Sequence, residues 1–233
     1  MLNDEQILDL SKFELKGFIG KGSFGIVYKI QDLKTQENYA AKITYASSMI
    51  EDGLDQNLLF LFREIRIMSA LNHPAIIRYI GYSPKDFDNN PNPTIITEYA
   101  PNKSLRDIIV EEGEGLSHKF WNETKKLICL YGIASGIQYL HHNKILHRDL
   151  KTENILMDED LNPKIGDFGL SKIYNNDLSA SLNMQSQNSS KGTPAYMAPE
   201  ILENNDNTEA SVVNDDSIIV YQIVSGEEPF KGI

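Results

Sequence analysis

The sequence predicts an α+β fold in which a small antiparallel β-sheet carrying one helix precedes a mainly helical part. Three observations predict it. Residues 13–44 alternate with period two in runs broken by glycine and turn residues. Residues 104–142 instead carry apolar side chains at helical spacing. No internal repeat relates the two parts, so a repeat array is excluded. The expected boundary lies near residues 98–103, giving one domain built from residues 13–99 and 100–233.

In the β-rich part, residues 13–19 alternate, Gly20-Lys21-Gly22-Ser23-Phe24-Gly25 intervenes, and residues 26–30 form a second run. A glycine-rich link lets bare backbone amides approach phosphate oxygens, because no Cβ stands in the way. A dinucleotide-binding loop is followed by a helix; here a second strand follows, which favours a flap over a nucleotide. Taken alone, the motif also reads as a plain glycine-bearing hairpin. The third run, residues 38–44, puts Ala40 and Lys42 on one face. A lysine beside small residues on a buried-facing side needs an anion. The helix predicted over residues 56–71 offers Glu64, on a stripe with Leu61, Met68 and Leu71. Two placements are open to Glu64: an ion pair that sets Lys42 against phosphate oxygens, or an exit to water beside Arg63.

Residues 76–80 and 94–99 read as strands, with a solvated, mobile Asn/Pro loop over residues 84–93. Ser104 is the expected N-cap of the next helix. A long helix over residues 119–142 carries Leu127, Leu130, Tyr131, Ala134, Ile137 and His141 as its expected core stripe. Residues 171–191 lose periodicity and form an expected flexible loop bearing the hydroxyls of Tyr174, Ser179, Ser181, Ser186, Ser189 and Ser190. Order returns over residues 192–200.

The chemistry concentrates in residues 147–169, HRDLKTENILMDEDLNPKIGDFG. Two short apolar runs, 155–157 and 164–166, flank turn residues and predict a tight β-hairpin. Its open end should bring Asn154 and Asp167 together, presenting oxygens to a shared point of the kind that binds Mg²⁺. Asp149 adds a carboxylate and Lys151 a cation. One acid, one lysine and two oxygen ligands within so short a span suit transfer of a charged group.

The net charge of −11 argues against broad nucleic-acid binding. No apolar run is long enough to cross a bilayer, and residues 1–13 are no secretory signal. The single cysteine, Cys129, excludes an internal disulfide and suits a reducing, cytoplasmic setting. Its helical context marks it as core filler.

With these motifs assembled, the chain resembles a eukaryotic protein kinase domain, from about residue 13 to residue 200. GKGSFGIV is similar to the glycine-rich loop, Ala40-Ala41-Lys42 to the lysine strand, and Glu64 to its helical partner. His147-Arg148-Asp149-Leu150-Lys151-Thr152-Glu153-Asn154 is similar to the catalytic loop, Asp167-Phe168-Gly169 to the metal-binding element, and Ala198-Pro199-Glu200 to the end of the activation segment. The resemblance implies a bilobal protein-kinase-like fold and an ATP- and Mg²⁺-dependent transfer of phosphate to Ser/Thr hydroxyls of protein substrates. By it, Ile19, Gly20, Lys21, Gly22, Ser23, Phe24, Gly25 and Lys42, paired with Glu64, hold the ATP phosphates. Val27, Ala40 and Leu156 enclose the adenine, and Glu98 and Ala100 offer it backbone hydrogen bonds. Thr97 guards the back of that pocket. Asn154 and Asp167 hold Mg²⁺, Asp149 accepts the substrate proton, and Lys151 stabilises the transferring group. A regulatory spine runs through Tyr79, Met68, Phe168 and His147. Thr193 stands beside Asp149 and Lys151, as in Ser/Thr kinases, and the segment to Glu200 is closest to the tyrosine-kinase-like group. A phosphoserine within residues 179–190 would pair with Arg148.

The chain departs from the family at two places. Val212 stands where a helix-entry aspartate normally accepts catalytic-loop hydrogen bonds, with Asp215 and Asp216 as the carboxylates a register shift could bring there. The family's last helices have no counterpart after residue 233, which deprives Glu200 of its usual arginine and uncovers apolar residues 218–224. An alternative of another class follows: a nucleotide-binding or scaffolding module with little or no catalysis. A small-molecule kinase is disfavoured by residues 192–200, which resemble a peptide platform.

Overall fold

The structure is a computed structural model that describes residues 7–22, 25–44, 56–173, 193, 196, 209–227 and 229; for residues 56–60 and 209–216 it describes the backbone. The chain divides into two compact units, Met1–Asn72 with Ile77–Ala100, and His73–Ile76 with Pro101–Ile233.

The first unit is a five-stranded sheet, β1 (Phe13–Gly22), β2 (Gly25–Asp32), β3 (Asn38–Thr44), β4 (Tyr79–Ser83) and β5 (Thr94–Glu98), with one helix, α1 (Gln56–Ala70). The strand order is β1-β2-β3-β5-β4, and each listed neighbour pair is antiparallel. Strand alternation sends Ile30, Ala41 and Ile96 to one face, where they bury with Leu10 against Phe13, Tyr28 and Tyr39. The register opposes Val27 to Lys42 and Lys42 to Ile95, and Ala40 to Thr97. Opposed residues share a face, so Val27, Ala40, Lys42 and Thr97 all lie on the other side of the sheet. On α1, Leu61, Glu64, Ile65, Ile67 and Met68 are buried.

One expectation for this stretch needs correction, and a second gains detail. Residues 76–80 are not one strand: β4 begins at Tyr79, because Ile76 bridges Ile165 and the Ala75 carbonyl accepts from Ile165 N–H at 2.8 Å. The apolar run is shared between the units. Residues 84–93 are exposed in part but organised around a buried carboxylate. Asp86 accepts from the N–H groups of Asp88 and Asn90, both at 2.9 Å, and from Asn92 Nδ2 at 2.7 Å. Those bonds hold the Asp86 carboxyl below its usual range despite the opposing effect of burial.

The second unit holds α2 (Leu105–Gly113), α3 (Glu123–His142), the ladder of β6 (Ile145–Leu146) with β9 (Lys172–Ile173), the hairpin of β7 (Ile155–Met157) with β8 (Pro163–Ile165), and α4 (Glu209–Ser225). Ser104 caps α2 in a capping box with Asp107. Asn122 caps α3, whose first turn therefore lies later than residue 119. The expected core stripe of α3 is also out of phase. Leu127 and Tyr131 are 67% and 78% exposed; of the expected stripe Ile137 is buried, and its buried companions are Lys126, Cys129, Ile133, Gly136 and Leu140. Two forces set this phase. Lys126 can be buried because Glu112 and Glu123 pair its ammonium at 2.9 and 3.2 Å. Gly132 and Gly136 let the hairpin approach: a Cβ there would meet Pro163 Cγ at 2.7 Å and Ile165 Cδ1 at 2.8 Å. Burial pushes the Cys129 thiol up to about 12, in keeping with core filler. Among the described residues, no helix is long and apolar enough to cross a membrane.

Candidate functional site

In the first unit the open choice for Glu64 resolves into a pair. Lys42 Nζ donates to Glu64 Oε1 at 2.7 Å, with the two side chains 20% and 8% exposed. Adjacent strands and a packed helix face fix both ends, so little entropy remains to be lost on pairing. Lys42→Met should leave Glu64 as a buried, uncompensated charge and destabilise the chain by about 2 kcal/mol, short of the ~3–5 kcal/mol of a fully buried pair. Denaturant unfolding measures this, and Lys42→Met with Glu64→Leu should recover most of the loss.

The glycines of the β1–β2 link divide into two kinds. A Cβ on Gly25 would lie 2.1 Å from the Ile43 carbonyl oxygen, so strand pairing itself demands glycine there. Gly20 and Gly22 have nothing within 4 Å of a built Cβ, and neither has a positive φ. The fold does not need glycine at those two positions, where a Cβ would stand in open space. Ser23 and Phe24 lie outside the described residues. Ile19 and Lys21 are exposed, and Val27, Ala40 and Ala100 are half-buried. Glu98 N–H already donates to the Arg78 carbonyl at 2.9 Å, so Glu98 could offer a ligand its carbonyl. Met68 is buried and Tyr79 half-buried.

In the second unit the hairpin pairs Ile155 with Ile165. Gly166 N–H donates to the Asn154 carbonyl at 2.8 Å, which puts Asp167 one residue past the open end, exposed and left-handed at φ 58°. Arg148 is also left-handed, at φ 70°. His147 is buried, its ring edge-on to Phe168 at 5.1 Å between centroids. Its Nε2 donates to the Gly166 carbonyl at 2.9 Å, and Ser171 Oγ donates to the His147 carbonyl at 3.1 Å. The acceptor-only carbonyl fixes the proton on Nε2.

Burial lowers the pKa of His147, outweighing the Gly166 bond and the carboxylates of Asp167 and Asp149; burial also lowers that of His73. A depressed histidine favours the neutral fold, so this stability is full above about pH 6.5 and falls as pH drops below it. The depressed carboxylates Asp9, Asp32 and Asp86 act lower, below about pH 3.9. The melting temperature should therefore fall between pH 6.5 and 5, with a shallower slope in His147→Gln. A flat profile across that window would contradict the assignment.

Four side chains converge after His147. Lys151 Nζ donates to Asp149 Oδ2 at 3.1 Å and to Thr193 Oγ1 at 2.8 Å. Thr193 Oγ1 donates to Asp149 Oδ1 at 3.0 Å. Asn154 Nδ2 donates to the Asp149 carbonyl at 2.7 Å and to Asp149 Oδ2 at 3.0 Å. The Thr193 hydroxyl is thus held with its proton aimed at a carboxylate and an ammonium donating to its oxygen. With its amide nitrogen committed to Asp149, Asn154 turns its amide oxygen away from that residue. Among the described residues, no group of three or more His, Cys, Asp or Glu could hold a metal ion. An amide oxygen and a carboxylate, from Asn154 and Asp167, are the oxygen donors that a hard cation such as Mg²⁺ takes. Leu156 is half-buried on β7. Residues 174–192 with their serines, residues 197–200, and the side chains of Val212, Asp215 and Asp216 lie outside the described residues.

The residue reading missed Gln222, which is buried and accepts from Tyr196 Oη at 2.8 Å. The available signal was a lone amide within the apolar run 218–224.

Residues 13–233 match the family model described as "Protein kinase domain". The chain is 35% identical to cysteine-rich receptor-like protein kinase 10 of Oryza sativa subsp. japonica over 91% of its length and 30% of that protein. It is 34% identical to human NUAK family SNF1-like kinase 1 over 95% of its length and 31% of that protein. With serine/threonine-protein kinase CTR1 of Arabidopsis thaliana it shares 31% identity over 99% of its length and 26% of that protein. The chain therefore spans about a third or less of the length of these relatives. The family match runs through both units and takes in every residue of the two clusters, so this chain belongs to the protein kinase domain family.

Proposed function

We propose that the chain transfers the γ-phosphate of ATP, with Mg²⁺, to serine or threonine hydroxyls of protein substrates. The observation that supports this is the Thr193 hydroxyl held between Asp149 and Lys151, the arrangement a substrate hydroxyl at this carboxylate would need. The likeness to CTR1, a serine/threonine-protein kinase, supports the Ser/Thr class. The tyrosine-kinase-like subgroup belongs to the proposal on residues 196–200 alone, and a cytoplasmic setting on the single cysteine.

The roles follow from the donors present. Gly20, Gly22, Gly25 and neighbouring Ile19, Lys21, Ser23 and Phe24 would offer backbone to phosphate oxygens, and Lys42, oriented by Glu64, a charge. Val27, Ala40 and Leu156 would cover the base, with Glu98 and Ala100 bonding its edge. Asn154 and Asp167 would hold Mg²⁺, which when bound neutralises charge on the phosphates. Asp149 accepts the substrate proton as the hydroxyl oxygen bonds phosphorus and the bond to the departing ADP oxygen breaks. Lys151 faces the negative charge that moves through this exchange.

The test is label transfer from γ-labelled Mg·ATP to a generic protein substrate, with thermal-shift titration alongside. Wild-type chain should transfer label, and Asp167→Ala should lose transfer and the Mg²⁺-dependent part of the thermal shift. Nucleotide stabilisation without any transfer would replace the proposal with the non-catalytic module.

A further inference from the structure

Residues 7–12 precede the stretch that matches the family model, yet they are packed into the first unit. Ile7 bridges Tyr82 in parallel, and Leu8 N–H donates to the Tyr82 carbonyl at 2.7 Å, which ties the segment to β4. Asp9 Oδ1 accepts from Ser11 N–H at 3.0 Å and caps a single turn over Leu10–Lys12. Leu10, 9% exposed, joins Ile30 of β2, Ala41 of β3 and Ile96 of β5 in one buried cluster. The Lys12 carbonyl then accepts from Leu33 N–H at 2.9 Å, one residue past the end of β2. The segment is a strap fastened at β4 and beyond β2, with β5 and β3 between its fastenings.

Ala41 stands between Ala40 and Lys42, so strand alternation turns its methyl toward Leu10 and sends the Lys42 side chain to the opposite face. There the Glu64 carboxylate holds the Lys42 ammonium at 2.7 Å. β3 is thus gripped from both sides, by an ion pair on one and by the strap on the other. A methyl fills little space behind a strand, so Leu10 limits how far β3 can retreat. Truncating a buried leucine leaves a cavity into which its surroundings partly relax. Relaxation here would draw β3, and Lys42 with it, toward the strap. We propose that Leu10 is a positioning residue for the nucleotide: seated by the strap, it holds β3 at the depth at which Lys42 meets phosphate oxygens. The inference rests on the kinase reading above, which supplies ATP as the ligand.

The test measures the affinities of the whole chain for Mg·ATP and for adenosine, which has no phosphates, by titration calorimetry. Leu10→Ala should weaken Mg·ATP about fivefold and adenosine by less than about twofold, because a small displacement of a charged contact is felt by the phosphates alone. Leu10→Met, which refills most of the volume, should bring Mg·ATP back to within about twofold of wild type. Ile133→Ala, a truncation of similar size at a residue of α3 that is 3% exposed, controls for lost stability. Its melting temperature should fall while its affinity for Mg·ATP holds. In a chain carrying Lys42→Met and Glu64→Leu, adding Leu10→Ala should weaken Mg·ATP no further, since the contact it positions is gone. If Leu10→Ala does not fold, Leu10→Val carries the same comparison. Unchanged Mg·ATP affinity, equal weakening of Mg·ATP and adenosine, or a further loss in the Lys42→Met background overturns the proposal, as does a wild-type chain that binds no Mg·ATP. A chain that binds as expected yet transfers no phosphate overturns the kinase reading alone.

Discussion

Asp149→Asn should lower kcat for phosphate transfer by about 10²–10⁴-fold, the range of a positioned general base. The substitution is nearly isosteric, and an amide oxygen can still accept from Lys151 or from Thr193. What it cannot do is take a proton from an attacking hydroxyl. One of its atoms also becomes a donor facing Asn154 Nδ2 or Thr193 Oγ1, which now point donors at Asp149 at 3.0 Å each. The cluster should loosen locally while the five-stranded sheet is unaffected. Steady-state kinetics at saturating Mg·ATP should show the loss in kcat, and a thermal-shift titration should return an ATP affinity near that of the wild type. Equal losses in both would mean that Asp149 holds the fold of its loop rather than the substrate proton.

The largest structural effect should come from one glycine of three. In Gly25→Ala the new methyl would sit 2.1 Å from the Ile43 carbonyl oxygen and 2.9 Å from its carbon. Both atoms are backbone within a strand pair, so no rotamer change relieves the overlap and β2 must part from β3. A cost of about 3 kcal/mol is expected, at the upper end for overpacking. For a chain of this size that lowers the melting temperature by about 6–12 °C. Gly22→Ala meets nothing within 4 Å. Its melting temperature should stay within about 1 °C of wild type, or rise slightly as the unfolded chain loses freedom. Its affinity for Mg·ATP should nevertheless fall, because the methyl fills the clearance left for phosphate. Differential scanning fluorimetry with and without nucleotide separates the two outcomes. Equal destabilisation by both variants would show that the clearance at Gly22 has no ligand purpose.

Local patterns that depend on neighbours along the chain were legible. The alternation of residues 13–44 gives three strands, and the turn residues between 157 and 163 give the hairpin. The period-two argument that placed Lys42 with Ala40 also placed it where Glu64 could reach. What failed were decisions that belong to partners distant in sequence. The phase of α3 was read from its leucines, but the hairpin selects the face bearing Gly132 and Gly136, and Glu112 makes the burial of Lys126 tolerable. A glycine has no hydropathy signal, and an ion pair across a loop has no period. Composition also gives no hint that one aspartate, Asp86, gathers the exposed loop 84–93 around itself. Ile76 was assigned to the strand of its sequence neighbours and instead bridges Ile165. Gln222 needed Tyr196, distant in sequence, before its position could mean anything.

The contact of Gly132 and Gly136 with Pro163 and Ile165 has a mechanical consequence. Here helix backbone takes the ring of Pro163 and the tip of Ile165 with no helix side chain between them, so half of the rotamers that could yield under load are missing. The hairpin that ends at Asn154 is thus mounted on a twenty-residue helix as a stiff bracket rather than a spring. If Asn154 holds the proposed ion, such a mount would fix the aim of its oxygen and favour a small ion of strict octahedral geometry over a larger, more adaptable one such as Ca²⁺. Selectivity for the ion would then be set partly behind the site, by two hydrogen atoms on a helix that never meet the metal.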